Sequence, residues 1–240
     1  MKSLHATVLV TLLLASAAAL AATSPSAAPA APSPAAAPAA PSSAADPAFD
    51  AEMMSLQQAW AKANYDLPQG YSRTEAFDAL EKRAENFTKQ HPDRPEALIW
   101  EGIIESSYAG AKGGLGALSL CKEARGNLEA ALKLDPTALD GSAYTSLGTL
   151  YYKVPGFPLG FGDHDKAEKM LQKALQLNPN GIDPNYFYAD YLFEQGRYRQ
   201  SLEYLDKANK AAPRPGRELA DKGRRAEIAA LTAKVKQKLG

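Results

Sequence analysis

One spacing recurs three times in the chain and constrains its fold more than any other feature. Ala124, Leu128, Ala131 and Pro136 fall at intervals of four, three and five; Ala167, Leu171, Ala174 and Pro179 repeat them, and Ser201, Leu205, Ala208 and Pro213 repeat them again. Intervals of three and four put the first three residues of each set on one face of an α-helix, and the proline, which has no backbone N–H to donate, marks where that helix stops. A stripe this narrow cannot form a core alone, so successive copies must bury one another.

These segments resemble the second helix and exit turn of the tetratricopeptide repeat, whose pattern of W-x2-L-G-x2-Y, A-x3-F and P returns every 34 residues. Counting back from Pro213 gives a repeat over 182–215, with Tyr188-Ala189 at the Leu-Gly place, Leu192 at the Tyr place, and Gly196 and Tyr198 at the turn. The preceding repeat, 141–181, has Leu147-Gly148 and Tyr151 in place, and repeat 95–138 has Glu101-Gly102 and Glu105. Residues 139 and 140 are extra, between repeats. Leu98, Tyr144 and Asn185 replace the family's tryptophan. A divergent helix pair over 49–94 precedes these, with Met53, Leu56 and Trp60 on one stripe and Phe77, Leu80, Ala84 and Phe87 on the other. At the far end, Ile228, Leu231, Val235 and Leu239 mark a capping helix over 217–239. The resemblance implies an all-α fold: a right-handed superhelical stack of antiparallel helix pairs, an α-solenoid carrying two inserted loops and a C-terminal capping helix.

Local chemistry suggests where helices begin. Ser72-x-x-Glu75 and Asp165-x-x-Glu168 have the form of capping boxes, Asp183-Pro184 that of a cap before a first-turn proline, and Asn180-Gly181 that of a left-handed exit. Gly102, Gly148 and Ala189 let paired helices approach closely.

Relative to the 34-residue count, repeats 95–138 and 141–181 carry long insertions between their two helices. The first reads as a loop over Tyr108 to Ser119, YAGAKGGLGALS, and the second as a loop over Val154 to His164, VPGFPLGFGDH. Equivalent insertions in neighbouring repeats should emerge along one edge. Lys112 beside Gly113-Gly114 invites comparison with an anion nest, but the strand, spacing and Lys-Ser/Thr pair of a phosphate-binding loop are missing. Leu115, Leu118 and Leu120 read as a flap over the helix tops. In the second loop Phe157, Leu159 and Phe161 alternate with proline and glycine, so they either complete a satellite core or stand out as anchors for a partner.

The start of the chain carries Lys2, an apolar run from Ala6 to Ala19 and an Ala19-Leu20-Ala21 site, the pattern of a signal peptide over 1–21. That apolar run is shorter than the roughly 20 residues needed to span a bilayer. No cysteine follows it to take a lipid, and the expectation is secretion to a periplasm without stable membrane insertion. An Ala/Pro/Ser-rich disordered linker over 22–47 follows. Lys plus Arg number 27 and Asp plus Glu 27. Such a balance gives no field to gather phosphate backbones, so no nucleic acid is expected. Cys121 is the only cysteine, so no intrachain disulfide can form. Neither a catalytic residue, a metal site nor a cofactor is expected: after signal cleavage only His91 and His164 remain, and Asp165 reads as a cap.

By repeat position, the first helices would line a concave groove with Glu96, Ile99, Ile103 and Ser106, then Thr145, Thr149, Tyr152 and Lys153, then Tyr186, Asp190, Phe193 and Glu194. The partner-binding candidates are Tyr152, Lys153, Tyr186, Asp190 and Phe193 in the groove and Phe157 and Phe161 in the second loop. The leading expectation is a non-enzymatic protein-interaction or scaffold module whose protein or peptide partner binds the groove or the loops, with self-association possible. The alternative is a small-molecule or lipid-binding component: YYKVPGFPLGFGD and the helical repeats resemble, diffusely, the T component of tripartite periplasmic transporters. An enzyme would have to rest on His164, Asp163 and Tyr152.

Overall fold

The computed structural model describes residues 46–240; the expected signal segment (1–21) and the Ala/Pro/Ser stretch as far as residue 45 lie outside the described residues. Residues 46 and 47, expected in the linker, belong instead to the first helix. Asp46 caps it by accepting from the amides of Ala48 and Phe49, and Pro47 takes the first helical position, where its missing N–H costs nothing.

Among the described residues the chain forms nine α-helices. They are α1 (Pro47–Ala61), which runs into a π-helical turn (Lys62–Asp66), α2 (Tyr71–Gln90), α3 (Pro95–Lys112), α4 (Gly114–Leu134), α5 (Ala138–Lys153), α6 (His164–Leu177), α7 (Ile182–Glu194), α8 (Tyr198–Lys210) and α9 (Glu218–Leu239). Odd and even helices pair, giving the expected all-α solenoid of antiparallel pairs. The odd helices form the inner row, each against the next from α1 through α9. Helix α9 also meets α1 and its π-turn, so the inner row closes on itself.

Within the pairs the small residues do what their spacing suggests. A Cβ on Gly102 would sit 2.8 Å from Leu128 Cγ, and one on Gly148 2.6 Å from Leu171 Cγ, so both leucines use the space that glycine leaves. In the last pair Ser201 Oγ donates to the Ala189 carbonyl at 2.7 Å. The two extra residues between repeats are absorbed at the start of α5, where Leu139, Asp140 and Gly141 all have left-handed φ (48°, 53° and 76°). Gly141 is required there, because a Cβ would press on Leu177 Cδ1 at 2.6 Å.

The first insertion is not a loop. It is absorbed by lengthening α3 and α4 to 18 and 21 residues, with Gly113 and Gly114 (φ 62° and 63°) making the reversal. Ala111 packs on one core cluster, Leu118 on another, and Cys121 between them, so tertiary burial overrides the poor helix propensity of the glycines. Leu120 is fully part of the core; the side chain of Leu115 lies outside the described residues. Lys112 turns back over the Tyr108 ring of its own helix and forms no anion nest.

Several helix starts also differ from expectation. Helix α2 begins at Tyr71 from Gly70 (φ 117°), with no side-chain cap, so Ser72 and Glu75 are not a capping box. Asp163, not Asp165, caps α6, accepting from the Lys166 amide at 3.0 Å. Helix α7 starts two residues early from Gly181, which is extended (φ −69°, ψ 143°) rather than left-handed, and Asp183 lies inside the first turn.

Candidate interaction surfaces

The second insertion is a loop, from Val154 to Asp163, and it is folded upon itself. The amides of Leu159 and Gly160 donate to the Gly156 carbonyl, Gly162 N donates to Pro155 O at 2.9 Å, and Asp163 N donates to Tyr151 O at 2.8 Å. A side chain at Gly162 would fall on the Val154 carbonyl oxygen, so the loop base needs glycine there. Its apolar residues divide between the two expected directions. Phe161 turns inward, edge-on to Tyr151 at 5.8 Å and under the Arg125 guanidinium at 4.4 Å. Phe157 and Leu159 turn outward and are 92% and 73% exposed.

The inner face is less open than the groove mapped from repeat positions. Tyr152 is a core residue, 5% exposed, and its hydroxyl donates to Asp190 Oδ2 at 2.8 Å. Burial, with Asp190 beside it, pushes that phenol well above its ordinary value. Ile99 and Thr145 are likewise buried. Lys153 is still reachable and bridges Asp190 at 2.7 Å and Glu194; burial pulls its pKa down, but the two carboxylates outweigh it and raise it. Phe193 is half-buried against Tyr198, ring centroids 5.6 Å apart. Tyr186 lies under the Arg224 guanidinium at 4.5 Å.

That arginine belongs to α9, whose role the repeat count does not reveal. The first half of α9 faces the inner row. Gly223 takes the Tyr65 ring, which a Cβ would strike, and Tyr65 is brought there by the π-turn after α1. Tyr65 also stands edge-on to Trp60, which stands edge-on to Trp100. Arg217 lies 4.9 Å over Trp100. Arg224 contacts the rings of Tyr186 and Phe187 and pairs with Asp183 at 2.8 Å and Glu227 at 2.5 Å, while Arg214 pairs with Asp183 at 2.6 Å and Asp221 at 2.7 Å. Burial would raise the Asp183 carboxyl, but Arg224 and Arg214 outweigh it and hold it at about 2. The only sequence signal for this contact is a glycine inside the charged helix, DKGRRAE.

With three copies of one helix stripe in register and small residues seated under the leucines, the comparison with known families decides the matter. Residues 159–235 match the family model described as tetratricopeptide repeat. Within that range the chain carries tetratricopeptide repeats. No curated protein matches it. Among solved structures it is similar to the crystal structure of MamA (22% identity, 68% of this chain and 89% of that one, TM-score 0.41). It is also similar to a thermophilic TPR protein of Thermus thermophilus (18% identity, 76% and 97%, TM-score 0.42).

One helix pair departs in chemistry. Glu101 and Glu105 occupy the places that Leu147 and Tyr151 fill in the next repeat, and both are buried, 7% and 3% exposed. Glu105 accepts from Asn127 Nδ2 at 3.0 Å and forms no ion pair. Burial pushes its carboxyl up to about 8. The residues an enzyme would need have structural partners: Asp163 caps α6, His164 Nδ1 meets Gln195 Nε2 at 3.0 Å, and Tyr152 is bound to Asp190. His91 packs against the rings of Phe49 and Phe87. Among the described residues no three His, Cys, Asp or Glu side chains converge as metal ligands, and no helix is long and apolar enough to cross a membrane.

Proposed function

We propose that the chain is a secreted, non-catalytic interaction module of the periplasm that engages a protein partner through the tip of its second repeat loop. A tetratricopeptide repeat fold supports a role in protein–protein interaction or scaffolding. The observation that carries the finer reading is the outward pair Phe157 and Leu159, held on a loop whose backbone hydrogen bonds are made internally. Aromatic side chains are frequent anchors of interfaces, and an anchor already fixed in place loses little entropy on binding. The signal-like start of the chain supports export. Structural employment of His164, Asp163 and Tyr152 supports a role without turnover.

A photo-crosslinking phenylalanine analogue at Phe157, compared in cells with the same analogue at exposed Leu134, tests this. One discrete adduct from position 157, absent at 134, is the expected result. Identical adduct patterns at the two positions, or none at 157, would overturn the loop assignment. Fractionation of cells making the full chain tests the compartment, with release in the periplasmic fraction expected.

A further inference from the structure

We propose that α9 is a releasable latch that fills the partner-binding inner face of the array, and that the partner segment for this face is an arginine-bearing helix or peptide. This rests on the interaction reading above, but concerns a different surface from the loop. Three observations point to it.

First, α9 is held unequally. Its second half is fixed by apolar burial, with Ile228, Leu231 and Val235 in one cluster with Ala189, Leu205 and Ala208. Its first half meets the first helix pair through Ala220 and half-buried Leu219 in that pair's core cluster, a ring against a glycine, and a Tyr65 to Glu227 hydrogen bond of 3.4 Å, with Met54 against Gly216 just ahead of the helix. One buried alanine and a half-buried leucine on that side stand against three large buried side chains on the other, so the seam to α1 is the side that opens.

Second, what α9 places on the inner face has the character of a ligand. Arg217 covers Trp100, and Arg224 covers Tyr186 and Phe187 while pairing with Asp183. Cations over aromatic rings with a carboxylate beside them form a recognition set that another arginine-bearing segment could satisfy equally. Asp190 and Glu194, further along α7, are already paired with Lys153, so Asp183 is the carboxylate of this set.

Third, the fit is imperfect. Arg217 Nε is buried with no hydrogen-bond partner, and burial beside Arg214 lowers its pKa to about 10. An unsatisfied buried donor weakens the closed state relative to one in which a partner completes the bond. A tethered segment also acts at an effective concentration of about millimolar, so an outside competitor gains access only when the latch is loosened.

The test uses the full chain with Cys121→Ser, Tyr65→Cys and Gly223→Cys, in which a disulfide closes the seam and reduction frees it. The probe is a fluorescent peptide of this chain's own residues 214–228, followed by anisotropy. The reduced chain should bind it at least tenfold more tightly than the oxidised chain. The same peptide with alanine in place of Arg217 and Arg224 should lose at least tenfold. Equal affinity in the two redox states, or no binding in either, overturns the latch; undiminished binding of the alanine peptide overturns the arginine assignment. Should the disulfide not form, Gly223→Leu, with native helicity verified, must bind the peptide at least tenfold more tightly than the native chain, and equal binding overturns the proposal. None of these outcomes depends on the loop, so crosslinking at Phe157 can fail or succeed independently.

Discussion

Glu105 sits where a carboxylate has one amide donor and no cation. Glu101 lies one turn before it, Glu81 faces it from α2 and Glu123 from α4, while Glu85 and Lys89 act on Glu101 and pair with each other. A folded pKa of about 8 lies above the ordinary carboxylate value, so the folded state holds the proton more tightly than the unfolded chain. The sign follows: this contribution is fully present below the unfolded value and is lost as pH rises through about 8. A tenfold difference in proton affinity between the folded and unfolded chain corresponds to about 1.4 kcal/mol, so the whole excursion is on the order of a few kcal/mol. Denaturant unfolding from pH 5 to 9 should show native stability falling along this range. Glu105→Gln should match the native chain near pH 5 and exceed it at pH 9; parallel curves would remove Glu105 as the cause. Glycines give a second contrast. At exposed Gly126 a Cβ meets nothing within 4 Å, so Gly126→Ala should raise stability by about 0.5–1 kcal/mol through helix propensity. At Gly148 the same change drives Leu171 aside and should cost about 1–3 kcal/mol. Midpoints of urea unfolding compare the two, and similar shifts of one sign would refute the packing account.

At the scale of elements, the second helices were legible because a small–Leu–small stripe followed by proline reports packing and termination together. Their starts were less legible, since several side chains near each boundary could serve as a cap and geometry alone selects Asp163 over Asp165. The first insertion misled for a definite reason: glycine count suggests a loop, but Ala111, Leu118 and Cys121 have cores to join, and burying them outweighs the cost of Gly110 and Gly116 inside helices. The second insertion has two prolines and, beyond Val154 at its base, only Phe161 to bury, and it stays a loop. In the candidate site, the sequence left Phe157 open between a satellite core and the surface and its exposure decides for the surface, whereas Tyr152 was not legible as core because its burial depends on Asp190 from the next repeat. The loop's order depends on its base, where Gly162 closes on Val154. Gly162→Ala should therefore release the segment from Val154 to Asp163 while leaving helicity nearly unchanged, read as faster protease cleavage within that segment. Cleavage at the native rate would show that the base tolerates a methyl group and that rigidity comes from elsewhere.

For the molecule as a whole, the repeat pattern predicts nearest-neighbour stacking, and it is silent on contacts between first and last elements. Such a contact changes how the array should unfold. In an open stack stability is approximately a sum over neighbours, and ends can fray independently. Here α9 ties the fourth pair to the first, so losing either end exposes the seam of the other. The two tryptophans of the chain, Trp60 and Trp100, both lie in the cluster of the first pair beside this seam, one touching Tyr65 and the other covered by Arg217. Tryptophan fluorescence therefore reports the seam, while far-ultraviolet circular dichroism reports all helices. In the native chain the two urea transitions should coincide. Tyr65→Ala removes the ring that Gly223 receives without adding bulk, and should move the fluorescence transition to lower urea ahead of the helical one. Coincident transitions in both chains would mean that closure contributes nothing to cooperativity and that the four pairs are already coupled through their neighbours.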